Sequence, residues 1–393
     1  MVFPGGNCMK SASIATLRTA VIGLALLCLA ACAGGQGGGA RPANPDEIVI
    51  GVAGPMSADL AAFGEQLRKG AEAAVADVNA KGGVLGKKLR LVVGDDQCDP
   101  RKAVKVASDL VQQGAVFVDG HFCSGSSIPA SSVYAEEGIL QITPSSTNPA
   151  LTEGAASKGI TTVLRTSGRD DLQGVFAGNW LAKTYAGRNL AILDDRSAYG
   201  AGVAQVTAKT VQSAGLTPAL RDTYQQGTKD FSDLIGKLKS ANIDAVYIGG
   251  YHNDFALIVR QARAQGLKAD FVGADALNTA EFWSISGPAG EGVRFSDAAS
   301  PINLPSAREV VAKFRSDGYE PEGYTLSAYA AVQVFAAAAA GTGSTDGRKM
   351  ASWLRANHVS TVVGDLSWDS KGDLTKMNYA WFIWQNGRYS MEP

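Results

Sequence analysis

From residue 48 onward, short apolar runs alternate with segments of helical period. Ile48-Val49-Ile50-Gly51-Val52 predicts a strand. The stretch from Phe63 to Asn79 then places Phe63, Leu67, Ala71, Ala74, Val75 and Val78 on one face of a helix, which Gly82 and Gly83 end. Leu89 to Val93 predicts the second strand. Asp99-Pro100 reads as N-cap and first position of a helix whose Val104, Ala107 and Val111 face inward and which Gly114 closes. A third strand is expected over Ala115 to Val118, then a helix from about Ser126 and a strand over Ile139 to Ile142. A second series starts near Leu164: a strand over Leu190 to Leu193, a helix from Gly202, a strand over Asp244 to Ile248, a helix from Asp254, and Phe271-Val272.

Such alternation predicts an α/β protein of two doubly wound parallel-sheet lobes, with helices on both faces of each sheet. Open parallel sheets bind ligands beyond the carboxyl ends of their strands. The informative residues are therefore those that follow each apolar run: Ser57, Asp95-Asp96, His121 to Ser127, Thr143 to Thr147, Asp194-Asp195 with Tyr199, Tyr251, and Asp275. Hydroxyl groups and carboxylates dominate this set. The cluster Tyr379, Trp381, Phe382, Trp384 has a strand period and is expected to pack a lobe.

The amino terminus departs from this pattern. After Lys10 and Arg18, Ala20 to Ala31 forms a charge-free run of 12 residues, an export-signal length too short to span a bilayer. It ends in Leu29-Ala30-Ala31-Cys32, which resembles a bacterial lipobox. The expected divisions are a lipoprotein signal over 1–32 with Cys32 as the lipidated residue, and a Gly/Pro-rich tether over 33–45 that spans roughly 20 Å. No second long apolar span is expected. The body of about 350 residues suggests two domains.

Lys plus Arg number 36 against 37 Asp plus Glu, a balance that points to no nucleic-acid partner. With Cys8, Cys28 and Cys32 in the leader, only Cys98 and Cys123 remain in the body. In an oxidising compartment two cysteines most economically form one disulfide, whereas a reactive thiol at Cys123 has only His121 nearby to favour its thiolate.

Several chemistries lack their signature. Gly82 to Lys88 is one residue short of a phosphate loop and has Lys88 where the hydroxyl belongs, and Phe122 stands where a nucleophile elbow at Ser124 needs glycine. His121, His252 and His358 are too dispersed for zinc-ligand spacing, and no GxGxxG follows the first strand. No enzyme activity, cofactor or metal is expected.

Taken together, DDQCDP (95–100), GHFCSGSSIPAS (120–131), ITPSSTNPALT (142–152), RTSGRDDLQG (165–174), GGYH (249–252) and ASWLRANHVSTVVGDLSWDSKGDL (351–374) resemble the leucine/isoleucine/valine-binding protein family. These are periplasmic substrate-binding subunits of ABC importers with the type I periplasmic-binding-protein fold, and the resemblance runs from about Ile48 to Trp384. It implies two lobes joined by a three-strand hinge: lobe one over 46–165 and 298–368, lobe two over 166–297 and 369–393. It places a disulfide at Cys98 and Cys123, in agreement with the count of cysteines.

The resemblance also implies a ligand carboxylate site at Ser124 and Thr147, and an ammonium site at the Ser145 carbonyl, the Thr147 hydroxyl and Asp275. Tyr199 and Tyr251 match aromatic wall positions, with Phe63 and Tyr324 aligned less closely. Ser124 and Thr147 also read as helix N-caps, Asp195 or Asp254 are alternatives to Asp275 in the cleft, and His121 is expected to be structural. Asp275 stands where leucine-binding members carry glutamate, Phe122 where they carry leucine, and Phe63 where they carry tyrosine. The larger Phe122 should shorten the pocket, which favours a small neutral aliphatic amino acid or 4-aminobutyrate over leucine.

The implied partners are the amino acid and an ABC permease in the inner membrane. The chain is expected to be a periplasmic monomer that touches the membrane only through its lipid. Rival readings are a sensory module of the same fold and a secreted α/β hydrolase with Ser124 as nucleophile.

Overall fold

The computed structural model describes residues 44–392. The lipobox, Cys32 and all but the end of the tether lie outside the described residues. The strands are β1 Glu47–Gly54, β2 Lys88–Asp95, β3 Phe117–Gly120, β4 Leu140–Thr143, β5 Val163–Arg165, β6 Leu190–Asp194, β7 Leu220–Thr223, β8 Ala245–Gly249, β9 Asp270–Gly273, β10 Arg294–Ala298, β11 Val359–Thr361, β12 Gly364–Leu366, β13 Tyr379–Gln385 and β14 Arg388–Met391. The α-helices are α1 Ala61–Ala80, α2 Pro100–Gln112, α3 Ser124–Glu136, α4 Ala150–Ser157, α5 Asp170–Thr184, α6 Ala198–Ser213, α7 Ser232–Ser240, α8 His252–Ala264, α9 Ala280–Ser286, α10 Arg308–Ser316, α11 Thr325–Thr342 and α12 Gly347–Ala356.

The first lobe is built on a sheet of order β2-β1-β3-β4-β5 in which every neighbouring pair is parallel. Both faces are dry. Along β1 the side chains alternate: Ile48, Ile50 and Val52 enter a core with Phe63, Leu67 and the helix α11, whereas Val49 and Ala53 meet Val106, Ala107 and Leu110 of α2. The second lobe has the order β14-β13-β10-β9-β8-β6-β7. Leu193, Ile248 and Phe271 face α7, α8 and α9, while Leu190, Ile192 and Tyr247 face α5 and α6.

Several expectations need correction. The third strand begins at Phe117 and runs to Gly120, because Ala115 and Val116 serve as its lead-in after the glycine turn. The helices expected from Ser126, Gly202 and Asp254 start earlier, at Ser124, Ala198 and His252. The second sheet is not wholly parallel. β13 runs antiparallel to β10, and β14 returns along β13 through Asn386-Gly387, both at positive φ, the two-residue hairpin turn whose twist matches its strands.

A second long apolar span does exist. α11 crosses 18 residues without a charge, yet it is a core helix, with Ala328, Ala330, Ala331, Phe335 and Ala338 fully buried in the first lobe. The chain passes between the sheets after β5, after β10 and before β13, and these crossings are irregular segments flanked by strand ends rather than strands. Arg165, fully buried at the first crossing, pairs with Asp373 of the third at 2.8 Å and donates to Thr152 Oγ1 at 2.8 Å and to the Ser146 carbonyl at 2.5 Å.

Cys98, in the loop after β2, is bonded to Cys123, the N-cap of α3, with a Cα separation of 5.5 Å. A loop closed over 25 positions stabilises by roughly 3 kcal/mol in the chain-entropy treatment. The double variant Cys98→Ala, Cys123→Ala is therefore expected to lose about that much stability, read from the midpoint shift in urea unfolding. A loss below about 1 kcal/mol would show that the bridge is dispensable.

Candidate ligand-binding site

The strand ends of the two sheets face each other across a cleft. On the first lobe the site is built by two loops, His121-Phe122-Cys123 after β3 and Pro144 to Asn148 after β4. They are stapled together by hydroxyl groups. The His121 carbonyl accepts from Ser127, Thr143 and Ser146 at 3.0, 2.8 and 3.1 Å, and the Phe122 carbonyl accepts from Ser145 and Ser146 at 3.0 and 2.9 Å. Thr143 Oγ1 also accepts from the Ser146 amide at 2.9 Å. Small hydroxyl residues suit this because they satisfy buried carbonyls without occupying the space in front of the loops.

Beneath the loops, His121 bridges Asp96 Oδ2 at 2.5 Å and Tyr134 Oη at 2.8 Å, all three fully buried. The imidazole therefore braces the loop and does not reach Ser124, whose Oγ instead accepts from the Asn148 amide at 3.2 Å. His252 is directed to Glu281 at 2.9 Å. Neither His121 nor His252 is hydrogen-bonded to Ser124.

The second lobe contributes Tyr199 on α6, Tyr251 immediately before α8, and Asp275 after β9. Asp275 is the electrostatic centre. Tyr199 donates to its Oδ1 at 2.7 Å, and Tyr324, from the first lobe, donates to its Oδ2 at 2.6 Å. Burial pushes the Asp275 carboxyl above the usual carboxylate range, and the two tyrosine hydrogen bonds oppose that shift. Burial, then the charge of Asp275, raises both phenols well above their ordinary value, so they remain donors.

Phe122, Ser124, Ser145, Tyr199, Tyr251, Asp275, Ala276 and Tyr324 line one small cavity. Seven of these eight are residues singled out in the sequence. Thr147 and Phe63 sit differently. Thr147 faces a neighbouring chamber that also touches Asp275, with its hydroxyl buried beside Asp170. Phe63 lies behind the wall, stacked on Phe122 at 4.4 Å and edge-on to Tyr324 at 5.8 Å. Asp195 and Asp254 are engaged elsewhere in the second lobe. Asp195 accepts from Ser197, with its pKa pushed up to about 6 by burial, and Asp254 accepts from the Gly227 amide.

Sequence reasoning missed Asp170, Gln173, Asn278 and Asp297. Asp170 is fully buried at the first turn of α5; burial, with the charge of Asp275 adding, raises its carboxyl well above the usual range, and the neighbouring Thr147 hydroxyl opposes that shift. Asp297 is the penultimate residue of β10, near the strand end where the strand-end rule looks. The strand itself, RFSDA, is too short and polar for its periodicity to be seen.

Residues 47–388 match the family described as periplasmic binding protein. The Leu/Ile/Val-binding protein homolog 2 of Brucella abortus is 44% identical over 342 residues, covering 87% of this chain and 91% of the relative. The leucine-, isoleucine-, valine-, threonine- and alanine-binding protein of Pseudomonas aeruginosa is 39% identical over 340 residues, covering 86% and 90%. Among solved structures, the branched-chain amino acid transporter substrate-binding protein LivJ of Streptococcus pneumoniae, in complex with isoleucine, superposes with a TM-score of 0.79 at 26% identity. That match covers 88% of this chain and 99% of LivJ.

A carboxyl whose pKa is raised by folding adds stability below its unfolded value and withdraws it as pH rises through the raised value. Asp275→Asn keeps the shape and removes the charge. It is expected to raise the unfolding temperature of the unliganded protein at pH 7 by roughly 2 °C or more, with the gain vanishing below about pH 4. Equal or lower stability at pH 7 would show that the tyrosines compensate the charge fully.

Proposed function

The chain belongs to the periplasmic binding protein family, and from that premise we propose that it captures a small neutral aliphatic amino acid, 4-aminobutyrate included, between two closing lobes and delivers it to an ABC permease. The observation that carries this reading is Asp275, a buried carboxylate with no cation beside it among the described residues, facing a loop of amides and hydroxyl groups. Two relatives carry leucine, isoleucine and valine in their names, one of them threonine and alanine as well.

The ligand carboxylate goes to Ser124 at the start of α3, with Thr147 beside it, where amides and a helix N-terminus offset the charge without a buried cation. The ammonium goes to Asp275, the Ser145 carbonyl and the Thr147 hydroxyl, so each desolvated charge finds a partner. Tyr199 and Tyr251 close the second-lobe side. The Phe63–Phe122 stack, with Tyr324 edge-on at 5.1 Å, limits the length of the aliphatic tail.

Lobe one is assigned to 46–165 and 298–368, lobe two to 166–297 and 369–393, with the three crossings as the hinge. Closure is supported by contacts outside the pocket. Asn148 donates to the Ala198 carbonyl at 2.5 Å, and Glu322 accepts from Thr279 Oγ1 at 3.1 Å and from the Ala280 amide at 2.8 Å, capping α9 of the opposite lobe. These contacts hold the closed form, and the ligand shifts the equilibrium by the difference between its affinities for closed and open forms. The mature protein acts as a monomer in the periplasm, anchored by lipid at Cys32.

Calorimetric titration of protein freed of ligand by unfolding and refolding is expected to give one-to-one binding of alanine, valine, proline or 4-aminobutyrate. Asp275→Ala should weaken it at least roughly 100-fold, the scale of losing one partner of a buried ion pair. Leucine binding about ten-fold tighter than that panel would refute the role given to Phe122, and silence across it would refute the ligand class. Separately, Cys32→Ala should move the protein from the membrane fraction to the soluble one. Unchanged fractionation would exclude the anchor.

A further inference from the structure

Behind Asp275, towards the crossings between the lobes, lies a second chamber that shares Asp275 and Tyr324 with the smaller cavity. Besides hydroxyl groups, which both donate and accept, its lining holds buried amides and carboxylates. Gln173 donates Nε2 to the Ser296 carbonyl at 2.7 Å, which fixes the amide orientation because a carbonyl only accepts, and leaves Oε1 buried without a partner. Asn278 donates Nδ2 to Asp297 Oδ2 at 2.9 Å and leaves Oδ1 buried without a partner. These two residues are 1% and 3% exposed. Among the described residues that line the chamber there is no lysine, arginine or histidine. Burial, then the charge of Asp275, pushes the Asp297 carboxyl well above the ordinary range. Two unpartnered amide oxygens and two buried carboxyls therefore face a space whose counter-charge its lining does not supply.

We propose that this chamber is a second subsite of the ligand pocket, which receives a positively charged side-chain terminus, so that the protein binds diamino acids as well as neutral ones. The inference rests on the amino-acid reading above. A neutral zwitterion brings one cation, and that cation is matched by Asp275. A distal ammonium has three donors, and Asp297, Gln173 Oε1 and Asn278 Oδ1 offer three acceptors.

The test is calorimetric titration of the refolded protein with ornithine and 2,4-diaminobutyrate against their neutral counterparts norvaline and 2-aminobutyrate, repeated with Asp297→Asn and Asn278→Ala. The expected result is that one diamino acid binds at least as tightly as its neutral counterpart. Either variant should then weaken the diamino acid about ten-fold or more while changing the neutral one less than about two-fold. Neutral acids that bind while both diamino acids are about ten-fold weaker or silent overturn the subsite and leave the amino-acid reading standing. Neutral binding that requires sodium, lost when an organic cation replaces it, assigns the chamber to an inorganic ion and also overturns the proposal. Silence towards both classes overturns the amino-acid reading and the subsite with it.

Discussion

The carboxylate of Asp275 has to be satisfied from both sides of a dry cleft. One of its oxygens is held by Tyr199 of its own lobe and the other by Tyr324 of the facing lobe. A charge placed so deep tolerates neither an empty neighbourhood nor free access of water, and much of the surroundings follows from that. The tyrosines keep their protons, and Tyr324 reaches Asp275 from across the cleft. Asp170 and Asp297, buried nearby and raised by burial and by the charge of Asp275, extend this electrostatic demand towards the crossings.

The opposite end of the cleft solves the complementary problem without a buried cation. Hydroxyl side chains of Ser127, Thr143, Ser145 and Ser146 bind the carbonyls of His121 and Phe122, and the disulfide ties the N-cap of α3 to the loop after β2. The imidazole of His121, fixed by Asp96 and Tyr134, supports this loop from below. The helix start at Ser124 is thereby held rigid, and preorganised amides lose little entropy when they meet an anion. Cys123 is part of the frame and not a reactive thiol, because its sulfur is committed to Cys98.

Arg165 links the site to the crossings. Its guanidinium is fully buried, paired with Asp373 and hydrogen-bonded to the loop that carries Thr147. Removing either partner would leave an uncompensated charge, so the crossings and the binding loop are constrained together. Rotation of one lobe against the other must pass through segments that contain no continuous strand ladder, where backbone dihedrals are free to absorb it.

Much of this is legible in the chain itself. Period-two runs such as Ile48 to Val52, the Asp99-Pro100 helix start and the glycine stops follow from local sterics, and local sterics act within a few residues. The edge on which ligands bind follows from the parallel alternation, which is why Ser124, Ser145, Tyr199, Tyr251 and Asp275 stand out from the amino-acid sequence alone. Other features depend on contacts between distant segments. RFSDA becomes strand β10 only because β9 and β13 flank it, and the charge-free α11 is a core helix only because two layers cover it. That Phe63 backs the wall, that Thr147 turns to a second chamber, and that Asp297 and Asn278 share that chamber were settled by packing, because burial and hydrogen bonding depend on neighbours the sequence does not place side by side.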